Sequence, residues 1–204
     1  MVSKLKLSAS KNLSTAFISL VAVLLGILHF GIAKETQAQT EELILGRELI
    51  EPGISVVFEG AVKDMVSPTD RHLAESKTDV HLEALVNWSD DESVPVPKGT
   101  VRGGFIPYLK LQAELVNERT GEAVNLSLVP HINLIDNFHY ARNIDLPGEP
   151  DDTFKVTFYI NPPQKYDMAY HRDFKKAHGT PLFKAKTYTY KNVSFESVIG
   201  RTRN

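Results

Sequence analysis

From residue 40 onward the chain alternates apolar and polar positions with a period of two, the repeat of a strand with one buried face. In "YLKLQAELVN" Leu109, Leu111, Ala113 and Leu115 alternate with Lys110, Gln112 and Glu114, and "FKVTFYI" repeats the pattern through Phe154, Val156, Phe158 and Ile160. Further strands are expected at 54–60, 79–88, 123–130 and 183–195. No stretch carries the periodicity of a long helix. "NERTG" at 117–121 is polar and ends in glycine, which suits a hairpin turn between its neighbours. About seven short strands joined by turns predict an all-β fold, an immunoglobulin-like antiparallel β-sandwich. The segment 89–104, rich in Pro, Gly and acidic residues, reads as a long exposed loop rather than a domain boundary.

Ahead of this pattern the sequence differs. Lys4, Lys6 and Lys11 precede an uncharged apolar run from Thr15 to Ala33, followed by Thr36-Gln37-Ala38. That is the layout of a secretory signal, so residues 1–38 are expected to be a signal peptide, or an N-terminal anchor if retained, and residues 39–204 the exported domain. Removing four lysines and one glutamate takes the formal charge from −2 to −5. Mild acidity of this kind argues against nucleic acid and suits cations. Cysteine is absent from all 204 residues, which excludes disulfides, thiolate metal sites and cysteine nucleophiles. A Walker loop, a dinucleotide glycine fingerprint, a G-x-S-x-G elbow and an H-E-x-x-H helix are all missing too.

Six histidines follow the signal segment: His72, His81, His131, His139, His171 and His178. Without cysteine, imidazole is the strongest transition-metal ligand this chain offers. In "DVHLEALVNW" the apolar residues Val80, Leu82, Ala84, Val86 and Trp88 take one face of a strand. His81 and Glu83 take the other, two residues apart and about 6.5 to 7 Å from each other. By itself this pair suits an exposed polar face. A second constellation raises its interest: His131, Asp136 and His139 crowd a turn between two strands in "LVPHINLIDNFHYARNIDLPG", and His171 follows the strand end at Pro162-Pro163.

Taken in order, "TDVHLEA", "IPYLKLQAELVNERTGE", "LVPHINLIDNFHYAR", "YINPP" and "AYH" resemble the bacterial periplasmic iron-uptake proteins that bind copper and work beside an Ftr-type iron permease, the FetP-like proteins. Those proteins carry an "ADIHLEA" strand, a "PYL" strand ending in a "TG" turn, Met-Pro-Met followed by D-x-x-H-Y-G, and a strand ending in "PP" with a histidine eight residues on. The resemblance spans about residues 54–196. It implies copper-binding histidines at His81, His139 and His171, a neighbouring metal position at Glu83, and an acidic partner at Asp136. It also implies a homodimer with metal sites near the subunit contact, and iron as the transported ion.

Two departures matter. His131 stands where the family has a methionine, one residue further from Asp136, and Ala141 replaces the glycine after "HY". Imidazole in place of thioether favours Cu(II), Zn(II) or Fe(II) over Cu(I), which bears on the choice of metal; copper and iron are what the resemblance implies, with manganese or zinc as substitutes. His72 and His178 match no family ligand and read as surface residues; Met65 and Met168 read as packing residues, with a replacement sulfur ligand as the alternative, and Asp90, Asp91 and Glu92 as a solvated loop, with attraction of cations to the site mouth as the alternative. Because the ligands are imidazoles, metal affinity is expected to fall below about pH 6.5. Rival readings are a copper-dependent oxidase or dismutase, which needs an open coordination position, and an adhesion or scaffold domain, which needs no metal.

Overall fold

The computed structural model describes residues 42–203; the expected signal segment lies outside them. Eight strands form: β1 (Glu42–Ile50), β2 (Ile54–Ala61), β3 (Val80–Trp88), β4 (Lys110–Asn117), β5 (Ala123–Ile132), β6 (Phe138–Ile144), β7 (Phe154–Asn161) and β8 (Lys186–Val193). One short helix, α1 (Arg172–His178), and a single 3-10 turn at Glu75–Lys77 complete the described residues. No helix among those residues is long and apolar enough to cross a membrane.

The eight strands pair antiparallel throughout, in the order β1-β2-β3-β6-β5-β4-β7-β8. The expected sandwich is present, with its two layers sharing a strand. Residues Ala123 to Leu128 of β5 pair with β4, and Val129 to Ile132 pair with β6. Along the outer edges Tyr190 of β8 lies over Gly46, where a Cβ would meet the ring, and donates its hydroxyl to Glu48 Oε1 at 3.0 Å. The β1 and β8 edges are thereby drawn together and the sandwich nearly closes as a barrel.

The inward faces are those the alternation predicts. Val56, Phe58, Leu82, Ala84 and Val86 from one layer meet Leu111, Leu115, Val156, Phe158 and Ile160 from the other, all fully or almost fully buried. Phe58 and Phe158 stack across the interface with ring centroids 4.1 Å apart. The "NERTG" turn forms as expected: Asn117 Oδ1 accepts from the backbone N–H of Arg119 and of Thr120, and Gly121 takes φ 78°. The long loop after β3 is also exposed, and Arg102 pins it by donating to the carbonyls of Ser89, Asp91 and Val94.

Candidate metal centre

His81 and Glu83 do leave β3 on the face opposite the core, yet that face is not exposed. Both side chains are buried, Glu83 completely. The cover is the loop between β2 and β3 together with the C-terminal segment, where Lys63 bridges to Thr202 and Arg203 approaches Asp64 at 3.7 Å. On β6, Asn143 lies opposite His81 and ties this cover down by donating its amide N–H groups to the carbonyls of Asp64 (2.9 Å) and Leu73 (3.0 Å).

That tie fixes a tautomer. With the Asn143 amide nitrogen committed to two carbonyls, its oxygen must face His81, so Nδ1 of His81 carries the proton and donates to it. Nε2 of His81 is left as a free lone pair aimed toward Glu83 Oε1, 3.6 Å away. His139 is set in the same way, since its Nδ1 donates to the Asn137 carbonyl at 3.2 Å and its Nε2 faces Glu83 Oε2 at 4.0 Å.

The turn supplies the third imidazole. In the β5–β6 hairpin His131 pairs directly with His139. Asn133 shapes the turn: its side-chain oxygen accepts the N–H of Ile135 and Asp136, and its amide donates to Asp136 Oδ2. One ring nitrogen from each of His81, His131 and His139 lies within 4.8 Å of the other two. Nε2 of His131, Nε2 of His139 and both Glu83 oxygens are buried with no hydrogen-bond partner. Unpartnered imidazole nitrogens within a histidine cluster, with the unpartnered Glu83 oxygens 3.6 and 4.0 Å from Nε2 of His81 and His139, fit a metal ion better than they fit a packed core. Glu83, Asp136 and His139 form a second such group of mixed nitrogen and oxygen donors.

Burial sets the charge state of these groups. It holds His81 down at about 4 and His131 at about 3, and lowers His139 as well. All three imidazoles are therefore neutral, as ligands must be. Burial also lifts Glu83 to about 9, helped by the charges of Glu59 and Asp136 and opposed by Arg203. Burial thus puts the titration of His81 and His131 below the range expected from the sequence and leaves the proton of this pH range on Glu83.

The centre opens into a cleft of about 420 Å³ lined by Asp64, Met65, His72, His131 and Asn133 among others. His72 and Met65 are thus not the surface and packing residues the sequence suggested. The His72 ring stands edge-on to His131 with centroids 5.0 Å apart, and Met65 is exposed at the rim. Met168 packs against the core as expected.

His171 is elsewhere. It is exposed ahead of α1 and shares an apolar cleft with Trp88, Pro107, Met168 and Phe174. Trp88 ends β3 seven residues from His81, roughly 23 Å at 3.3 Å per residue, so His171 does not join the cluster of its own chain. Asp90, Asp91 and Glu92 lie beyond that same far end, away from the cleft mouth.

The fold and site define a histidine- and carboxylate-lined β-sandwich, and the comparisons specify its kind. Residues 39–197 match the family of the Fe2+ transport protein, and the chain belongs to that family. Similar solved structures include copper-reconstituted P19 from Campylobacter jejuni, 26% identical with a TM-score of 0.63, covering 76% of this chain and 98% of that one. A copper-bound variant of FetP from uropathogenic Escherichia coli is 27% identical with a TM-score of 0.60, covering 76% and 100%. A copper-bound P19 variant is 26% identical at a TM-score of 0.62, covering 76% and 98%. No curated protein matches the chain.

Proposed function

We propose that this member of the Fe2+ transport protein family is an exported, periplasmic metal-binding protein that hands iron to an inner-membrane permease. Copper is held by His81, His131 and His139, and iron beside it by Glu83 and Asp136. The reading rests above all on the unpartnered Nε2 atoms of His131 and His139 and oxygens of Glu83, in a buried site where the three histidines cluster and which opens to a cleft. The copper-bound P19 and FetP structures support copper as the ion on the imidazoles. Bound copper would supply one-electron redox capacity next to the oxygen donors of the iron.

The protein residues perform the rest. Asn143 and the Asn137 carbonyl hold the proton on Nδ1 of His81 and His139, so that each ring presents Nε2. Glu83 takes a proton when no cation is present and gives it up when one arrives. Around the cleft Ile132, Leu134, Ile135 and Phe138 are exposed, an apolar surface suited to covering by another protein. The occupant proposed is a second copy, which would bring His171 of the partner subunit to the site and complete its ligand set.

Electron paramagnetic resonance of the Cu(II)-loaded exported chain tests the reading. Nitrogen hyperfine structure that weakens in His131→Ala, with loss of dimer-dependent changes in His171→Ala, supports it. A spectrum without nitrogen coupling, or one unchanged in both variants, rules it out.

A further inference from the structure

Two of the three clustered imidazoles are set by hydrogen bonds, His81 through Asn143 and His139 through the Asn137 carbonyl. His131 differs. Among the described residues no hydrogen bond fixes its ring, and its Nε2 is buried without a partner. A ring held only at Cβ can turn about χ1 and χ2, and each turn carries its nitrogen away from the other two. Of the rings around it, that of His72 is nearest, 5.0 Å away and edge-on at 78°, against 5.2 Å for His81 and 5.8 Å for His139. His72 is itself clamped. Arg142 of β6 donates from Nη1 to the Arg71 carbonyl at 3.0 Å and to Nδ1 of His72 at 3.3 Å, and from Nε to the Ser127 carbonyl at 3.1 Å. Its neighbour Asn143 donates to the Leu73 carbonyl at 3.0 Å. Two adjacent residues of β6 thus grip the loop on both sides of His72. A guanidinium has no acceptor and keeps its protons, so Nδ1 of neutral His72 carries the lone pair and Nε2 the proton.

We propose that His72, held by Arg142, is a positioning residue for His131: its ring fixes by contact the imidazole that no hydrogen bond fixes. It is not a fourth ligand. Coordination through Nε2 would require the proton to leave that atom, and coordination through Nδ1 would break the bond from Arg142. His72 also belongs to neither group of ligand atoms described above. Edge-to-face packing of rings is directional, so the contact sets an angle as well as a distance. This suits the residue that stands at position 131. A thioether would adapt to an ion through its flexible stem, whereas an imidazole has to be aimed. The effect on copper rests on the reading of His131 as a ligand; the ring contact stands without it.

The test has a metal-free arm and a Cu(II) arm. Proton–nitrogen correlation spectra of the metal-free exported chain should show the His72 proton on Nε2. The His131 ring signals should shift in His72→Ala and stay near their wild-type positions in His72→Phe, which keeps a flat ring in the same place. With Cu(II), His72→Ala should weaken binding about tenfold and remove the nitrogen hyperfine coupling of one imidazole, and His72→Phe should recover most of both. In a His131→Ala background, His72→Ala should change Cu(II) affinity by less than about twofold. Arg142→Gln, which releases His72 without removing its ring, should shift the His131 signals in the same direction and is the second variant if His72→Ala fails to fold. His131 signals unmoved in both His72→Ala and Arg142→Gln overturn the proposal. A loss of affinity that His72→Phe does not recover, or that adds in full to His131→Ala, would make His72 a ligand and overturn it as well. No Cu(II) binding by the parent, with His131 signals still moved by His72→Ala, would instead defeat the copper reading and leave the ring contact standing.

Discussion

Raising the pH from 6 to 8 should tighten Cu(II) binding by the metal-free protein about 100-fold, and Glu83→Gln should abolish that dependence. Glu83 is wholly buried, its oxygens accept no hydrogen bond, and its carboxyl is raised to about 9. An ion seated against His81 and His139 lies next to both its oxygens, 3.6 and 4.0 Å from the two Nε2 atoms, and must displace its proton. Below pH 9 each unit of acidity then weakens binding about tenfold, so two units give about 100-fold. His81 and His131, held near 4 and 3, are already neutral throughout this window and add no slope. The sign follows from the same groups: the metal-free state binds the extra proton, so affinity rises with pH. Competition against a chelator of known proton affinity at pH 6, 7 and 8 measures it. A flat wild-type profile, or an unchanged slope in Glu83→Gln, would refute the reasoning.

Other consequences follow from the same geometry. Asn143→Ala frees Nδ1 of His81 and unties the loop carbonyls of Asp64 and Leu73; Cu(II) affinity should fall about 10- to 100-fold, with stability lower by about 1–3 kcal/mol, read by titration and thermal melting. His131→Met restores a thioether where the resemblance places one, and should shift preference toward Cu(I); unchanged relative affinities for Cu(I) and Cu(II) would mean that His131 is not a ligand. Phe58→Ala empties the stack on Phe158 in the middle of the sandwich and should lower stability by about 3–5 kcal/mol in denaturant melts while leaving the metal-site spectrum of the folded fraction intact.

The elements legible in the sequence are those whose alternation is clean. β3, β4 and β7 follow "DVHLEALVNW", "YLKLQAELVN" and "FKVTFYI", and their inward residues are the core. β1 escaped because the register shifts between Ile44 and Gly46, which breaks the alternation of "ELILGRELI". That His81 and Glu83 share a face was legible; that the face is buried was not, because its cover comes from a loop and a C-terminal segment that no period describes. The place of Glu59 beside Glu83 was not legible for a related reason. In "ISVVFEG" it is one acid at the end of an apolar strand, and only strand register brings it across from Glu83 and near Glu42. His72 looked like a surface residue because its loop position is set by the ties at Asn143 and Arg142, both distant in sequence.

The central claim is that His81, His131, His139 and Glu83 form a metal centre. Calorimetric titration of metal-free residues 39–204 with Cu(II) and Fe(II), beside a His81→Ala, His139→Ala double variant, tests it most directly. Submicromolar binding that the double variant loses is the predicted result. Absence of specific binding by the intact domain, or equal binding by the variant, would contradict it.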